Sequence, residues 1–416
     1  MASSTSATSS FQPGDLRDAF HLPRSTDGAT LTYLCGHSLG AMPKSAAALL
    51  QQGMEDWAQR AVDGHFEGEK PWFYLGEDLK PAMGRIVGAK PENVVLHGTL
   101  TNNLHLLLRS FYRPLGKRTR ILMEHSAFPS DRFCIRSHVA SRGYDPDEHV
   151  LTVQGKGPHG VPTTAEIIDA IAEHGDQIAT ILLPGVSYIN GAVYDIEAIT
   201  RQGHAVGALV GWDLAHAVGN IQLSLDEHHV DFAAWCTYKY LNSGPGAIGG
   251  LYVHHRHTDE NAPPLPRYEG WWGNQSATRF TPNTDFDAAP GAAAWQLSNV
   301  PVFSMLPLYA SLPIFDQIGI DHLAALGRRA HRHLRQGLHN AHPELQMLTP
   351  QDAHGTQLSI LLPDRAEAIQ KSLQQKNIVC DTRGDDILRV APVPLYNTMQ
   401  DVETFIDVFS SVYASQ

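Results

Sequence analysis

An aspartate and a lysine, 26 residues apart, are the residues of this sequence whose types and spacing most directly suggest chemistry. Asp213 follows an apolar run in VGWDLAHAVGN, and Lys239 stands among aromatic residues in CTYKYLNSGPGAIGG. Alone, Asp213 could be a helix N-cap, and Lys239 could be a surface lysine with a buried stem. Together they offer an amine that forms a Schiff base when desolvated and an acid that can pair with a ring nitrogen. Pyridoxal 5′-phosphate (PLP) requires those two groups.

Two polar segments at the ends of predicted strands could complete such a site. Residues 98–102 (GTLTN) precede a predicted helix, whose free N–H groups they could direct at a phosphate. Residues 127–131 (AFPSD) include Phe128, which could stack on a pyridine ring, and Ser130 and Asp131, which begin the next helix. Helix capping without a ligand and core packing of Phe128 are the alternatives. The order and spacing of all four features favour PLP.

Three other features of the sequence do not support a second site. Residues 244–249 (GPGAIG) match G-x-G-x-x-G, but they precede a strand instead of opening a helix, so we predict a flexible loop. His254, His255 and His257 lie in a polar, Pro-rich stretch, and we predict that they are solvated and bind no metal. The four cysteines form no C-x-x-C pair, which favours buried free thiols in a reducing compartment.

The elements that must position these residues alternate between strand and helix from about residue 90. Strands are predicted at 94–96, 121–123, 178–183, 208–212, 233–236 and 248–253. One face of a helix is indicated by apolar residues at i, i+3, i+4 and i+7, namely Leu104, Leu107, Leu108 and Phe111. This alternation predicts an α/β fold with a mostly parallel sheet, in which ligands bind beyond the carboxyl ends of the strands.

Beyond residue 303 the pattern predicts a smaller α+β domain. A long helix carries Leu323, Leu326, Leu334 and Leu338; a strand at 357–362, a helix at 366–375, a strand at 388–391 and a closing helix follow it. We therefore predict four regions: a disordered tail at 1–12, an N-terminal segment at 13–45 that packs on the small domain and the active site, a large PLP-binding domain at 46–305, and a small C-terminal domain at 306–416.

The composition narrows the classes of partner. The net charge of −12 argues against nucleic acid or an anionic membrane as the main partner. No apolar run approaches the length of a membrane span, and the Ser/Thr-rich N-terminus lacks the order of a signal peptide. We expect a cytoplasmic protein that acts on a small molecule.

Several longer segments resemble kynureninases, and the likeness runs from about residue 34 to the end. They are TLTNNLHLLLRSFY (99–112), FPSD (128–131), GWDLAHAVGN (211–220), VDFAAWCTYKYLNSGPGAIGG (230–250), EGWWGNQSATRF (269–280) and RVAPVPLYN (389–397). The resemblance implies the aspartate aminotransferase type of PLP fold (fold type I) and a homodimer with active sites at the subunit interface. It also implies hydrolysis of kynurenine or 3-hydroxykynurenine to alanine and anthranilate or its hydroxylated form, in tryptophan catabolism.

The resemblance also assigns roles to cofactor-binding residues. Lys239 would carry PLP as a Schiff base, Asp213 would pair with the pyridinium nitrogen, and Tyr238 would contact the phosphate or transfer protons. The remaining cofactor contacts would come from Leu100, Thr101, Phe128, Pro129, Ser130, Asp131 and His216 of one subunit and from Trp271 and Asn299 of the other.

Substrate contacts are implied in the same way, with Arg389 holding the α-carboxylate. Residues toward the aromatic end of the substrate would be Ser38, His65, Trp272, Asn274 and Asn299. Trp272 and Asn274 stand where enzymes that favour 3-hydroxykynurenine have Phe and His, so a ring-substituted kynurenine of secondary metabolism stays an alternative. Pro184 replaces a phosphate-contacting serine of animal members, and residues 36–40 read GHSLG where the family usually has GNSLG.

Two rival functions remain. One is a desulfurase-like lyase or an aminotransferase of the same fold, and the other is a non-catalytic protein that keeps the fold. A desulfurase needs a reactive cysteine, and Cys380 is predicted to lie in a packed strand at 377–381. Intact Lys239, Asp213 and Arg389 speak against a non-catalytic protein.

Overall fold

The structure, a computed structural model, describes residues 11–282 and 285–415. The strands in that part of the chain are β1 (Phe20–His21), β2 (Thr32–Tyr33), β3 (Met42–Pro43), β4 (Val94–Leu96), β5 (Arg120–Glu124), β6 (Val150–Val153), β7 (Ile178–Pro184), β8 (Leu209–Asp213), β9 (Phe232–Trp235), β10 (Gly250–Val253), β11 (Leu358–Leu361), β12 (Ile378–Val379), β13 (Asp381–Arg383) and β14 (Ile387–Val390). The α-helices there are α1 (Ala46–Arg60), α2 (Lys80–Val87), α3 (Leu100–Phe111), α4 (Pro129–Ser141), α5 (Pro146–His149), α6 (Thr164–His174), α7 (Ile196–Ala205), α8 (Val302–Ile318), α9 (Ile320–Ala341), α10 (Ala366–Gln375) and α11 (Met399–Ser415). No described helix is both long enough and apolar enough to cross a bilayer.

A seven-stranded sheet forms the centre of the larger part of the molecule, in the order β4-β10-β9-β8-β7-β5-β6. Strands β6, β5, β7, β8 and β9 pair in parallel, whereas β10 is antiparallel to both of its neighbours. The predicted α/β fold with a mostly parallel sheet is therefore confirmed. The sequence did not indicate β6, because this edge strand is only partly buried and its apolar pattern is short.

Alternating residues of the strands enter the cores on opposite sides of the sheet. Leu122 and Trp212 belong to one buried cluster, whereas Ile121 and Met123 belong to the other. This is the two-residue period of a strand covered on both faces. The predicted apolar face of α3 is confirmed, since Leu104, Leu107, Leu108 and Phe111 are all fully buried in the second cluster.

The C-terminal part contains a three-stranded antiparallel sheet, β11-β14-β13, with α9, α10 and α11 around a third buried cluster. The predicted long helix, the helix at 366–375 and the two strands are confirmed; β11 is one residue shorter at each end than predicted, and β14 begins and ends one residue earlier. The predicted domain boundary at 305/306 stays a prediction. It falls inside α8, which packs mainly against α1.

The N-terminal segment attaches to the C-terminal part by backbone pairing. Strand β2 is parallel to β12, and the backbone of Cys35 forms an isolated parallel β-bridge with that of Ala391. Residues 1–10 of the predicted disordered tail lie outside the described residues. Phe11 follows them, and its carbonyl accepts a hydrogen bond from the His322 ring.

The prediction that the histidines of the HHRH stretch are solvated is wrong. His254 is 3% exposed. The ring of His257 lies 2.7 Å from Asp231, which is also paired with His204 and Arg256. The sequence did not reveal this partner because Asp231 precedes β9, more than 20 residues earlier in the chain, and only the β9–β10 pairing brings the two segments together.

Candidate active site

A cleft of about 690 Å³ lies beyond the carboxyl ends of the parallel strands, as expected for a sheet of this kind. Asp213 is the last residue of β8 and pairs with Pro184, the last residue of β7. Lys239 lies in the turn after β9. Nine of the residues predicted to form a site line this cleft, namely Leu100, Thr101, Phe128, Ser130, Asp131, Asp213, His216, Tyr238 and Lys239.

One end of the cleft is formed by the first residues of two helices. Helix α3 follows Thr99, and α4 follows Phe128, and neither N-cap side chain accepts a hydrogen bond from its helix. The hydroxyl groups of Thr101 and Ser130 lie 2.6 Å apart and join the two helix ends. Uncapped N–H groups at two converging helix ends attract an anion, so this end suits a phosphate.

The opposite wall of the cleft is acidic and buried. One oxygen of Asp213 accepts the Ala215 N–H at 2.7 Å. Burial raises the pKa of Asp213, and the hydrogen bond to Asp131, the Ala215 N–H and the charge of Lys239 oppose that rise. Burial and the neighbouring Asp213 raise the pKa of Asp131 well above its usual range. One oxygen of Asp131 is buried without a hydrogen-bond partner among the described residues, so this wall can accept a hydrogen bond from a donor such as a protonated ring nitrogen.

Behind this wall lies a third buried carboxyl group, that of Glu124. The hydroxyl of Tyr194 donates a hydrogen bond to one of its oxygens, and the other oxygen has no partner in the part of the chain that the structure describes. Burial raises the pKa of Glu124 to about 7, and the hydrogen bond from Tyr194 acts in the opposite direction. The acid wall therefore extends beyond the residues that line the cleft.

His216 completes the wall with a buried imidazole whose Nδ1 has no hydrogen-bond partner within residues 11–282 and 285–415. Burial and the charge of Lys239 lower its pKa well below the usual range, so the ring is neutral at pH 7. A neutral imidazole with a free nitrogen can donate to or accept from a bound group. Phe128 stands opposite with its ring perpendicular to that of Tyr188 at 5.3 Å, and 46% of it is exposed.

The N-terminal segment packs against the turn that carries Lys239. The N–H of Gly40 donates to the carbonyl of Tyr238 at 2.8 Å. A Cβ atom on Gly40 would lie 2.2 Å from the carbonyl oxygen of Lys239 and 2.4 Å from Asn242 Oδ1. Only glycine fits here. Ser38, the predicted substrate contact, belongs to the same loop but is not among the residues that line the cleft.

Arg389 is fully buried beside the cleft rather than in its wall. Two of its nitrogens donate to Asp381, which faces it across the β13–β14 pair, at 2.8 and 2.5 Å. A third nitrogen donates at 2.6 Å to the carbonyl of Tyr188, a residue that does line the cleft. His37 lies 2.9 Å from the same aspartate. The guanidinium group is thus held in one orientation next to the cleft.

The other predicted substrate and partner-subunit residues lie away from the cleft. His65 packs edge-on against Trp72 at 5.3 Å. Trp272 is buried, with the Arg279 guanidinium 4.2 Å from its ring. Asn274 accepts the N–H of Asp287. The remaining two, Trp271 and Asn299, are solvent-exposed in the single chain.

Thr99, from the predicted phosphate-binding segment, also lines the cleft, whereas the sequence did not point to three further residues there, Val186, Tyr188 and Ala215. Tyr188 and Val186 follow β7, and the rule that ligands bind beyond strand ends could have found them. Glu124 ends β5 and could have been found in the same way. Nothing in the sequence indicated that Asp381 faces Arg389, because that contact depends on the register of two antiparallel strands.

Comparison with solved structures defines the class of protein. The chain matches a cysteine desulfurase from Escherichia coli with a TM-score of 0.76 at 16% identity, covering 97% of this chain and 99% of that one. It matches one from Thermococcus onnurineus NA1 with a TM-score of 0.73 at 16% identity, covering 93% and 95%. It also matches a C-DES variant with glycine covalently linked to its PLP cofactor, with a TM-score of 0.75 at 17% identity, covering 91% and 96%. The fold is that of the PLP-dependent enzymes of fold type I.

Comparison with curated sequences narrows this class to a family. The chain is 45% identical over 394 residues to a kynureninase from Myxococcus xanthus (strain DK1622), covering 94% of this chain and 92% of that protein. It is also 45% identical over 397 residues to one from Xanthomonas oryzae pv. oryzae (strain MAFF 311018), covering 94% and 93%. The family model described as the kynureninase C-terminal domain matches residues 325–409. The chain belongs to the kynureninase family, and it is a PLP-dependent hydrolase.

The cysteines do not supply the thiol that a desulfurase would need. All four are buried and free. Burial raises the pKa of Cys380, which stands between the short strands β12 and β13 instead of within the single strand that the sequence predicted. A buried thiol with a raised pKa is a poor nucleophile. The likeness to desulfurases is therefore one of fold.

Proposed function

We propose that this enzyme hydrolyses kynurenine or 3-hydroxykynurenine, releasing alanine and anthranilate or its hydroxylated form. The observation that carries the proposal is the cleft itself, in which the amine of Lys239 lies among the buried carboxyl groups of Asp213 and Asp131. Membership of the kynureninase family supports the substrate class. The residues present fit PLP, because the cleft pairs an anion-binding end with an acidic wall that has an unpartnered oxygen.

Each group of the cleft has a part in this reaction. Lys239 would hold the cofactor through Nζ and afterwards carry a proton there. Asp213 would keep the ring nitrogen protonated, and the ends of α3 and α4 would bind the phosphate. When bound, PLP supplies an electron-withdrawing ring that allows bonds at the substrate α-carbon to break. Tyr238 is the proposed second proton carrier, since its side chain lies beside that of Lys239.

Substrate orientation would depend on Arg389, because the planar guanidinium binds a carboxylate through two parallel hydrogen bonds. Asp381 and the Tyr188 carbonyl occupy three of its five N–H groups, which leaves two for the substrate.

The test is to incubate the PLP-loaded enzyme with kynurenine and to identify alanine and anthranilate by mass spectrometry. Lys239→Ala is the control, because it removes the amine that would hold the cofactor. We expect stoichiometric products from the wild type and none from the variant. The proposal would be rejected if kynurenine were recovered unchanged, or if the enzyme instead released sulfur from cysteine.

Trp272 and Asn274 favour a second candidate, a ring-substituted kynurenine of secondary metabolism. The ring of Trp272 contacts Phe73 and Arg279 away from the cleft of the single chain, so it would meet a ring substituent only in a site completed by a second copy. Values of kcat/KM for kynurenine and for its 3-hydroxy and ring-methylated forms distinguish the two. One methyl group in an apolar pocket is worth about 1–3 kcal/mol. A preference for a methylated form supports the second candidate.

We also propose that the enzyme is a homodimer of the cytoplasm. Trp271 and the neighbouring Phe280 are 45% and 65% exposed in the single chain, which suits a surface covered by a second copy. Light scattering measures the mass of the protein in solution and so tests for a dimer. Mixing the inactive Lys239→Ala variant with the Trp271→Ala variant tests whether each active site contains residues of both subunits. Activity above the sum of the two supports a site built from both chains.

The buried free thiols suit a reducing compartment, which cell fractionation checks.

A further inference from the structure

A cluster of metal-binding side chains lies between α3 and α4, apart from the cleft. His105 belongs to α3, and Cys134 and His138 stand one helical turn apart on α4. Their ligand atoms all lie within 4.8 Å of one another. His105 Nδ1 and His138 Nε2 are 3.1 Å apart.

These distances suit a tetrahedral ion with two nitrogen ligands and one sulfur ligand. Zinc–nitrogen bonds of about 2.0–2.1 Å and zinc–sulfur bonds of about 2.3 Å place tetrahedral nitrogens about 3.3 Å apart, and a nitrogen and a sulfur about 3.6 Å apart. The imidazole pair is already at the nitrogen separation. Cys134 must approach by about 1.2 Å at most, which is the scale of a small side-chain rotation.

We propose that His105, Cys134 and His138 bind one zinc-class divalent ion, with a water molecule as its fourth ligand. The two helices that supply the ligands pack against each other and are already joined at their cleft ends by the Thr101–Ser130 hydrogen bond. His105 is only partly buried, so the ion and its water have a path from solvent.

The charges around the cluster act in both directions. Burial lowers the pKa of His138 to about 4, so its ring is neutral and able to ligate at pH 7. Burial and Asp131 raise the pKa of the Cys134 thiol, so the ion must displace a proton from sulfur. The guanidinium groups of Arg109 and Arg142 are close enough to His138 to disfavour a cation. The thiolate offsets one of those charges, so we expect micromolar rather than tighter binding.

Two other clusters with metal-binding residues are weaker candidates. The carboxylate of Asp381, near Cys35 and His37, is already held by Arg389. Asp226, near His254 and His255, uses both oxygens to accept hydrogen bonds from Lys90, Asn93 and Tyr252.

Competition between the PLP-loaded enzyme and a chromophoric chelator for Zn²⁺ measures the site directly. We expect one ion per chain, and a loss of affinity of at least about tenfold in each of His105→Gln, Cys134→Ala and His138→Gln. His105→Gln is the variant least prone to misfold, because its side chain is half-buried. Matched controls are Cys380→Ala, a buried thiol elsewhere, and His339→Gln, an exposed helical histidine; both should bind as the wild type does.

Co²⁺ gives a second, spectroscopic readout. Bound with sulfur in a tetrahedral site, it should show red visible bands that PLP lacks, and these bands should disappear in Cys134→Ala. Zn²⁺ should also raise the melting temperature of the wild type but not of His105→Gln, because an ion that binds only the native state stabilises it. The proposal is overturned if no stoichiometric ion binds, or if binding survives unchanged in His105→Gln and Cys134→Ala.

Discussion

Glu124 makes the stability of this enzyme depend on pH, and Glu124→Gln should remove that dependence. The carboxyl group has an ordinary pKa of 4.5, and burial raises it to about 7 in the folded protein. Between these two values the folded protein keeps a proton that the unfolded chain has released. Glu124 therefore lowers the free energy of unfolding as the pH rises from about 4.5 to about 7, and the loss is complete above that range.

The size of the effect follows from the two pKa values. Their difference of about 2.5 corresponds to about 3 kcal/mol, at 1.36 kcal/mol for each tenfold change in proton affinity. Glutamine carries no charge, and its carbonyl oxygen can still accept the hydrogen bond from Tyr194. Its NH₂ group would occupy the place of the unpartnered oxygen, at a pH-independent cost of about 1–3 kcal/mol. The change in slope with pH, rather than the stability at one pH, is the diagnostic quantity.

Urea unfolding of the cofactor-free protein at pH 5, 6, 7 and 8 provides the assay. Relative to the wild type, Glu124→Gln should gain about 2–3 kcal/mol between about pH 5 and pH 8. Glu173→Gln, at a site whose side chain is 75% exposed, should run parallel to the wild type and controls for the loss of one carboxyl group. Parallel curves for the wild type and Glu124→Gln would refute the assignment of a retained proton to this residue.

Three further predictions concern the cleft and its surroundings. Borohydride should fix PLP covalently to the wild type but not to Lys239→Ala, as read by intact mass; fixation in the variant would place the cofactor elsewhere. Arg389→Lys keeps the charge but loses the planar group that contacts Asp381 through two nitrogens. The KM for kynurenine should therefore rise by about tenfold or more in steady-state assays. An unchanged KM would contradict the proposed contact between Arg389 and the substrate carboxylate. Gly40→Ala should lower the denaturation midpoint by the equivalent of about 1–3 kcal/mol, because the added Cβ atom would overlap the Lys239 carbonyl. Gly157→Ala is the control and should leave the midpoint unchanged, since a Cβ atom there would have no described atom outside its chain neighbours within 4 Å. Equal midpoints for the two variants would mean that the loop adjusts without cost.

The parts of the fold that the sequence predicted are those in which local pattern and burial agree. The central strands are buried on both faces, so they form continuous apolar runs, and α3 shows its apolar face at helical spacing. Asp213 was predictable as a site residue because it directly follows such a run. Strand β6 was not, because an edge strand needs few apolar residues.

Contacts set by tertiary register could not be read from the sequence. The HHRH stretch has the composition of a loop, yet His257 is paired with Asp231 because β9 and β10 lie side by side. The acidic wall is a second case. Glu124 ends β5 and Asp213 ends β8, and only the intervening β7 brings those two strand ends to one edge of the sheet. In the sequence, each carboxyl group that follows a strand is equally compatible with a helix N-cap and with membership of an acidic cluster.

Arg389 shows how three separate regions of the chain combine to orient one functional group. Asp381 comes from the C-terminal part, His37 from the N-terminal segment, and the Tyr188 carbonyl from the loop after β7. A guanidinium group held by Asp381 and the Tyr188 carbonyl, with His37 in turn holding Asp381, loses little side-chain entropy when a carboxylate binds, which favours tight and specific binding. The same arrangement makes the site sensitive to any shift between these regions, because moving one of them alters a hydrogen bond of the guanidinium group or of the aspartate that holds it. The orientation of Arg389, and its sensitivity to movements of these regions, therefore both depend on contacts between residues that are distant in sequence.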